Sequence, residues 1–451
     1  MAGAGFLCRR EFHLLRRKTL DHRQSRCRTR SRAARATRHR GCGRSTSHAA
    51  RLTAVRCTPE ARAAALHDID TRRLRRRRVP NDDRQVNFCS NDYLGLARDP
   101  EVAAAMASAA RLHGAGAGAS HLVSGHSTEH DALEHELAEF TERERALVFS
   151  TGYMANLGVL AALVDRNDVL VCDELNHASL IDAARLTRTP HHLRYTHADA
   201  GAAAELLRSA DSALGAFVIT DGVFSMDGDL APLPALAAAA RARQAWLVVD
   251  DAHGIGVLGD RGRGSCEFFG IGTKEVPVLI GTFGKALGTF GAFVAGDGDV
   301  IELLIQRART YIYTTALPPA VATATRHALK KMRLEKWRRE HLHSLVAHFR
   351  DGVRQRGLPV SDSSTPIQPL LLGSEDKALA ASHRLGELGY RVTAIRPPTV
   401  PVGTSRLRIT LSTAHSVAQV DGLLAALDQV MGDDAIVAGA SVHESVPGVF
   451  A

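Results

Sequence analysis

Residues 276–288 read VPVLIGTFGKALG, so that Lys285 stands among glycines directly after an apolar, strand-like run. A second such run, at 246–249, ends in Asp250 and is followed three residues later by His253. Runs of this kind predict buried parallel strands, whose carboxyl ends are where α/β sheets place their ligands. Alone, either residue has an ordinary interpretation, as a surface lysine in a turn or as a helix cap. The paired arrangement favours a shared site.

This pair matches what pyridoxal phosphate requires of a protein. That cofactor needs an amine for its aldehyde, a carboxylate that keeps its pyridine nitrogen protonated, and donors for its phosphate. Lys285 and Asp250 would supply the first two. For the phosphate, the segment 149–156 joins a predicted strand to a helix, so the amides of Gly152 and Tyr153 would point at an anion. A helix cap explains that segment equally well.

Alanine-rich helical stretches alternate along the chain with β-branched segments, which predicts an α/β fold with a mostly parallel sheet. The predicted strands are 86–88, 146–149, 169–172, 216–220, 245–250, 276–281, 367–372 and 407–411, and the predicted helices include 66–78, 378–388 and 417–431. We expect a basic leader at 1–60, an N-terminal helix and strand segment at 61–110, a large domain at 111–330, a small C-terminal α/β domain at 331–435 and a tail at 436–451.

Length and composition indicate a large enzyme in a reducing compartment. A chain of 451 residues with 45% hydrophobic content exceeds a single compact core and suggests a large domain with a smaller one attached. We expect no membrane association, because no run approaches the roughly 18 apolar residues of a membrane span. The seven cysteines are odd in number and lack metal-ligand spacing. They indicate reduced thiols and a cytoplasmic protein.

The positive charge is concentrated at one end of the chain. Residues 1–60 carry a charge of +13, so the remaining 391 residues carry −4 of the overall +9. The basic segment has little hydrophobic periodicity, so we expect it to be disordered. It could be a nucleic-acid-binding arm, a transit-like leader, or upstream sequence translated from a wrongly chosen start. We favour the last, and expect no nucleic-acid partner for the acidic body.

A glycine-rich segment at 114–120 predicts a loop near a ligand. Its glycines lack the dinucleotide-binding spacing, so a nicotinamide site is not supported. Among the four histidines that follow, the spacing of His126 and His130 would put two imidazoles on one helical face. A zinc site would need a third ligand, which the sequence does not identify. We therefore expect no metal, and favour helix surface and dimer packing for these histidines.

Five segments carry a resemblance to a known family. They are NDYLGL at 91–96, HASL at 177–180, DGVFSMDG at 221–228, DDAHG at 250–254 and TFGK at 282–285. In this order they resemble the α-oxoamine synthases, which are fold-type I pyridoxal-phosphate enzymes. These enzymes condense an amino acid with an acyl thioester and release carbon dioxide. The resemblance runs from about Leu74 to Val430 and implies a large domain with a mostly parallel sheet plus a smaller C-terminal α/β domain.

Two further segments indicate a branch of that family. SGHS at 124–127 and TAIRPPTVPVGTSRLR at 393–408 resemble the branch that joins L-alanine to a pimeloyl thioester in biotin synthesis. The other branches use glycine or serine with other acyl thioesters. The sequence leaves open whether coenzyme A or an acyl carrier protein carries the pimeloyl group. One departure is Asp221, where the family usually has Glu; the effect of the shorter side chain on local hydrogen bonding is left open.

The resemblance also implies roles for individual residues. Lys285 would bind the cofactor aldehyde and then act as the base, while Asp250 keeps the ring nitrogen protonated. His177 would stack on the cofactor ring and bond the acyl carbonyl. His253 and Ser225 would contact the phenolic oxygen and set its acidity.

Substrate and subunit contacts follow from the same resemblance. Arg408 would hold the amino-acid carboxylate in a bidentate pair, assisted by Asn91. Thr282 would reach the phosphate, and Thr314 and Thr315 the phosphate of a neighbouring subunit, which implies a homodimer with shared active sites. Thr399 is also expected to bind substrate, and Arg75 would lie at the substrate entrance, the arginine being uncertain by one position within the run 75–78.

Overall fold

The computed structural model describes residues 58–432 apart from positions 73, 77, 79, 81 and 83. The expectations for the leader up to residue 57 and for the tail at 436–451 lie outside the described residues. Every predicted site residue is described and belongs to the unit that begins at Leu66. The domain boundaries within this unit stay a prediction.

The strands of the described residues follow the β-branched segments. In chain order they are β1 Val86–Asn87, β2 Arg145–Phe149, β3 Val169–Asp173, β4 His192–Tyr195, β5 Ala216–Asp221, β6 Trp246–Asp250, β7 Val278–Thr282, β8 Ala292–Gly296, β9 Ile367–Gly373, β10 Tyr390–Arg391, β11 Thr393–Ile395 and β12 Ser405–Thr410.

Seven of these strands form the central sheet, in the order β2-β8-β7-β6-β5-β3-β4. All its pairs are parallel except those of β8, which runs antiparallel between β2 and β7. Asp221 and Asp250 are register partners at the ends of β5 and β6. The parallel strands therefore bring their final residues to one edge of the sheet, as expected for a ligand site.

Successive residues of these strands pack into two different cores. Val169 and Val171 belong to one buried cluster, whereas Leu170 and Cys172 belong to the other. Because side chains alternate across a strand, the two clusters lie on the two faces of the sheet. A sheet covered on both faces explains why its strands are nearly uninterrupted apolar runs.

Helices cover the sheet and build the rest of the fold. The helices are α1 Pro59–Thr71, α2 Pro100–His113, α3 Thr128–Thr141, α4 Gly152–Leu163, α5 Ala178–Leu186, α6 Ala200–Ser209, α7 Leu233–Ala242, α8 Ser265–Phe268, α9 Gly298–Arg307, α10 Arg309–Ile312, α11 Pro319–Leu334, α12 Lys336–Gln355, α13 Glu375–Glu387 and α14 Val417–Met431, with a π-helical turn at His121–Gly125. In this described part of the chain, none of the helices combines the length and apolar character that a membrane crossing needs.

Two small sheets complete the architecture. β11, β12 and β9 form an antiparallel sheet, and β1 pairs with β10 in parallel. The segment after β1 joins both sheets, because the amide of Phe88 donates to Arg391 and the amide of Thr410 donates to the Phe88 carbonyl. Asn91 follows this joining segment and Arg408 lies on β12, and both line the cavity described below.

The predicted strands are all present, each within two residues of its expected bounds. Four strands were not predicted: β4 is polar in sequence, β8 is a short run beside glycines, and β10 and β11 span only two and three residues. The helix predicted at 66–78 was wrong. It begins at Pro59 after a Thr58 cap and ends at Thr71, before the four arginines whose like charges disfavour continued helix.

Candidate active site

A cavity of about 240 Å³ opens at the carboxyl ends of β6 and β7, against the antiparallel sheet. Six predicted site residues line it, together with four residues that were not predicted. The predicted ones are Asn91, His177, Ser225, His253, Lys285 and Arg408, and the others are Cys89, Met226, Thr393 and Ile395. The sequence thus identified six of the ten lining residues. Of the four that it missed, Thr393 and Ile395 lie on β11 of the small antiparallel sheet.

Lys285 lies three residues beyond the end of β7 and is half-buried at the cavity. Desolvation lowers the pKa of its amine, while Asp250 and Asp221 raise it, and the net result is a pKa of about 8. An ordinary lysine has a pKa near 10.4. Lys285 therefore offers a neutral, nucleophilic amine far closer to physiological pH than a surface lysine does.

Asp250 closes β6 and is 5% exposed. Its Oδ2 accepts a hydrogen bond of 2.6 Å from the side-chain amide of Asn156, and its Oδ1 accepts one of 3.0 Å from the backbone N–H of Ala252. These two donors fix the orientation of the carboxylate. Asn156, buried in α4, belongs to the strand-to-helix segment 149–156, but nothing local in the sequence indicated its partner.

His177 caps α5, and its ring is held from one side only. Its Nδ1 accepts from the backbone N–H of Ser179 at 3.2 Å, so the ring proton of the neutral imidazole lies on Nε2. Desolvation lowers the pKa of this histidine, Asp250 raises it and Lys285 lowers it, with a net lowering. No residue that the structure describes bonds the Nε2–H of this neutral ring, so it is available as a donor.

Asp221 supports the His177 segment from the neighbouring strand. Its Oδ2 accepts a 2.7 Å hydrogen bond from the backbone N–H of His177, and the carboxyl group is buried. Burial and then the charge of Asp250 raise the pKa of Asp221 well above its ordinary value. The shorter carboxyl at this position therefore still reaches the residue that it orients.

His253 and Tyr93 form a buried neutral pair. The Tyr93 hydroxyl and His253 Nδ1 share a hydrogen bond of 2.6 Å. Burial lowers the pKa of His253 well below its ordinary value and raises the pKa of Tyr93 to about 12. Neither group is charged near neutral pH, so the pair can orient a donor into the cavity without adding charge.

Arg408 is a buried cation whose hydrogen-bond acceptors in the described part of the chain are neutral groups. Its guanidinium donates to the Ser225 carbonyl at 2.6 Å, to Thr410 Oγ1 at 2.9 Å and to Asn91 Oδ1 at 3.1 Å, and the residue is 7% exposed. These acceptors are all neutral, and among the described residues no carboxylate forms an ion pair with Arg408. Buried charges are normally paired, so this arginine is prepared for an anionic ligand.

The start of α4 offers the donors that an anion needs. Thr151 caps the helix through its hydroxyl, which accepts from the amide of Met154. The amides of Gly152 and Tyr153 precede the helical hydrogen-bond ladder and have no partner within it. Tyr153 itself is 42% exposed and its hydroxyl donates to Asp182.

Thr282, the other residue predicted to reach the phosphate, ends β7. Its Oγ1 donates to the Gly291 carbonyl at 2.9 Å.

Eight predicted residues lie outside the cavity lining: Gly152, Tyr153, Asp250 and Thr282, described above, and Thr314, Thr315, Arg75 and Thr399. Thr315 pairs with Ser120 in an isolated antiparallel bridge, and Thr314 is half-buried next to it. Arg75 pairs with Asp70, whereas the guanidinium of Arg76 donates to Thr399 Oγ1 at 3.4 Å. Among the arginines of this run that the structure describes, 75, 76 and 78, Arg76 is thus the one that bonds the predicted substrate-binding residue Thr399.

The histidines after the glycine loop lie close together, but not as predicted. His126 precedes α3, which begins at Thr128, so it does not share a helical face with His130. His121 Nδ1 and His126 Nδ1 are 2.9 Å apart. His130 uses both ring nitrogens, accepting from the Ser127 amide and donating to the Leu317 carbonyl. It therefore caps the helix and anchors α11 rather than offering a lone pair to a metal.

The residues present fit pyridoxal phosphate. Lys285 supplies a low-pKa amine, Asp250 a fixed carboxylate and the α4 start a set of uncommitted amides. These are the three groups that the cofactor requires. The fit rests on side chains and amides that are already in place.

Comparisons with known proteins agree with this chemistry. The aminotransferase class I and II profile matches residues 83–427. The 8-amino-7-oxononanoate synthase of Methylococcus capsulatus is 58% identical over 384 residues, which are 83% of this chain and 99% of that protein. The 8-amino-7-oxononanoate synthase structure from Francisella tularensis superposes with a TM-score of 0.68 at 31% identity, covering 78% of this chain and 98% of that one.

A second solved structure relates the fold to the cofactor. Serine palmitoyltransferase from S. paucimobilis, in a form with bound PLP and myriocin, gives a TM-score of 0.75 at 29% identity and covers 78% of this chain and 88% of that one. The mostly parallel sheet and the site at its carboxyl edge are thus those of fold-type I enzymes that use pyridoxal phosphate. The chain belongs to the aminotransferase class I and II family and, within it, to the 8-amino-7-oxononanoate synthases.

Proposed function

We propose that this chain condenses L-alanine with a pimeloyl thioester, releasing carbon dioxide and the free thiol and forming 8-amino-7-oxononanoate for biotin biosynthesis. The observation that carries the proposal is Arg408, a buried guanidinium whose hydrogen-bond acceptors among the described residues are all neutral. An amino-acid carboxylate supplies the missing countercharge, and the planar guanidinium can bind it bidentately. Asn91, which bonds Arg408, keeps the guanidinium oriented toward the cavity.

Four residues would hold the cofactor ring. When bound, pyridoxal phosphate supplies an electron sink that stabilises negative charge at the α-carbon of an amino acid. Lys285 would bind its aldehyde and Asp250 would hold the proton of its ring nitrogen. His253 and Ser225 would lie near its phenolic oxygen, and both line the cavity. The neutral state of His253 lets it donate there without repelling the protonated ring.

Lys285 and His177 would then handle the reacting groups. With a pKa of about 8, Lys285 Nζ is partly neutral near physiological pH and can accept the proton that leaves the α-carbon of alanine. His177 keeps its proton on Nε2, which can donate to the carbonyl oxygen of the acyl thioester. This donor would stabilise the negative charge that develops on that oxygen during attack.

The remaining assignments concern the phosphate, the entrance and the assembly. The amides of Gly152 and Tyr153 with Thr282 would bind the phosphate. We place Arg75 or Arg76 with Thr399 at the entrance for the pimeloyl donor, which is either a coenzyme A or an acyl-carrier-protein thioester. In a homodimer, Thr314 and Thr315 would complete the phosphate site of the neighbouring subunit. The free thiols of Cys89, Cys172 and Cys266 support a reducing, cytoplasmic location.

Thiol release from pimeloyl-coenzyme A tests the proposal, with alanine, glycine and serine as competing amino acids and mass spectrometry of the product. We expect alanine to be preferred. A preference for glycine or serine would instead make the chain a related synthase with another acyl donor. Repeating the assay with a pimeloyl acyl carrier protein identifies the donor.

A nucleic-acid-binding function would rest on the basic leader alone, which lies outside the described residues up to position 57. Removing that segment should abolish any salt-sensitive binding and leave catalysis intact, because every proposed site residue lies downstream. Binding that survives the deletion would require a second surface on the body.

A further inference from the structure

His197 lies just beyond β4 and bonds two carboxylates at once. Its Nδ1 is 3.0 Å from Asp173 Oδ1, and its Nε2 is 2.9 Å from Asp229 Oδ2. Carboxylates accept hydrogen bonds, and both ring nitrogens of histidine can donate only in the imidazolium form. The geometry therefore specifies a positively charged ring that joins two anionic groups.

The surroundings of His197 favour this charge. Burial lowers the pKa of the imidazole, but the hydrogen bonds to Asp173 and Asp229 outweigh it and raise the pKa to about 10. A third carboxylate, of Glu174, accepts from the backbone N–H of His197 at 3.2 Å. Arg194 is the cation on the same strand end, and it donates to the Glu174 carbonyl.

Asp173 ties the charged ring to the His177 segment. It is the last residue of β3, and its Oδ1 also accepts from the backbone N–H of Leu175 at 2.8 Å. Leu175 lies two residues before His177. The imidazolium thus fixes the Asp173 carboxylate, which in turn accepts the hydrogen bond from the backbone just before His177.

Asp229 ties the same ring to the turn that carries Ser225. The Phe224 amide donates to the Asp229 carbonyl at 3.0 Å, and the Gly228 amide to the Phe224 carbonyl at 2.8 Å, so the turn is closed on itself. The Ser225 carbonyl in this turn accepts from Arg408 at 2.6 Å. The Phe224 ring packs edge-on against His197, with centroids 4.3 Å apart.

We propose that His197, as an imidazolium, is a positioning residue for the condensation, because it fastens the Ser225 turn, and through it Arg408, to the strand end that carries His177. The proposal rests on the proposed function for its kinetic consequences. A rigid ring with donors on opposite sides suits this task, since lysine cannot present two fixed donors and an uncharged ring cannot serve two carboxylates.

Three variants of the complete holoenzyme test the proposal. His197→Phe keeps a ring against Phe224 but removes both donors. His197→Gln keeps one donor group, and His191→Gln is a matched control on an exposed histidine immediately before the same strand. We expect His197→Phe to weaken alanine binding, read from the cofactor absorbance, by about tenfold or more, as for the loss of a charge-assisted hydrogen bond. His197→Gln should bind alanine more tightly than His197→Phe does, and the alanine affinity of His191→Gln should match that of the wild type.

The Michaelis constant for the pimeloyl donor should change far less than the alanine affinity, because the turn orients Arg408. Wild-type alanine affinity in His197→Phe would overturn the proposal, as would equal losses for both substrates. If His197→Phe does not fold, Asp229→Asn decides instead, because it weakens the same link and leaves the ring in place. An unchanged alanine affinity in that variant would also overturn the proposal.

Histidine NMR supplies a readout that does not depend on the reaction. In wild-type protein labelled at histidine, with the signal assigned from His197→Gln, the His197 ring should stay protonated up to about pH 9, since its pKa is about 10. A ring that titrates near the ordinary value of about 6.5 would overturn the imidazolium assignment. If the ring stays charged while the enzyme prefers another amino acid, the proposed function fails and the positioning role remains.

Discussion

The backbone N–H of His177 donates to the buried carboxyl of Asp221 at 2.7 Å, although His177 follows β3 and Asp221 is the last residue of β5. The sequence resemblance implies a glutamate at position 221. Here the aspartate makes the contact directly, because β3 and β5 are neighbours and end at the same edge. The link fixes the segment from which His177 enters the cavity.

Asp221→Asn should be tolerated far better than Asp221→Ala. Burial and the nearby charge of Asp250 raise the pKa of Asp221, which favours a neutral carboxyl, and asparagine is a neutral side chain of the same shape. Alanine leaves the His177 amide without its acceptor, at a cost of about 1–3 kcal/mol. The measurement is kcat/KM for alanine. Equal losses in the two variants would show that the charged carboxylate is required.

The pKa of Lys285 predicts how cofactor loading depends on pH. In cofactor-free protein, the rate at which pyridoxal phosphate attaches should rise as the amine loses its proton and level off above about pH 8, which is its pKa. An ordinary lysine would give a rate that still rises beyond pH 10. Stopped-flow absorbance measures this profile, and a midpoint near pH 10 would contradict the lowered pKa.

The loaded protein should be yellow, and borohydride should attach the cofactor irreversibly to the peptide that contains Lys285. Lys285→Ala should lose turnover by many orders of magnitude, because the residue is both the covalent anchor and the proposed base. Peptide mapping by mass spectrometry locates the label. Its recovery on another lysine would overturn the assignment.

The site residues that the sequence predicts directly are those whose position relative to an apolar strand can be read from the neighbouring residues. Asp250 ends an apolar strand and Lys285 lies three residues beyond the end of another, and a parallel sheet brings such strand ends together. The other half depends on long-range pairing. Thr393 and Ile395 lie on β11, which reaches the cavity only because β12 pairs with it and delivers Arg408.

Residues that position other site residues by hydrogen bonding were also not predicted from the sequence. Asn156 looks like any polar residue in a helix until the fold brings it against Asp250. His197 is a lone histidine after a short polar strand, and its two carboxylate partners come from segments 24 residues before it and 32 residues after it. Only the three-dimensional fold pairs such groups, because neither periodicity nor spacing encodes the contact.

Asn156 predicts a measurable link between α4 and cofactor affinity. Its side-chain amide donates to Asp250 at 2.6 Å in a buried setting, so Asn156→Ala should weaken cofactor binding by about 1–3 kcal/mol. Asn156→Asp should weaken it further, because a second buried carboxyl would face Asp250. Equilibrium titration with pyridoxal phosphate measures both. Wild-type affinity in Asn156→Asp would show that this hydrogen bond does not hold the carboxylate.

Arg408→Lys tests substrate recognition most directly. A lysine keeps the charge but cannot reproduce the paired donors of the guanidinium, so alanine binding should weaken by roughly 2 kcal/mol or more. The cofactor should stay bound, and the affinity for the pimeloyl donor should change little. Arg406→Lys is the matched control, two residues earlier on β12, where the arginine already pairs with Asp227; it should affect alanine much less. If Arg408→Lys binds alanine normally and loses affinity for the thioester, Arg408 belongs to the acyl site instead.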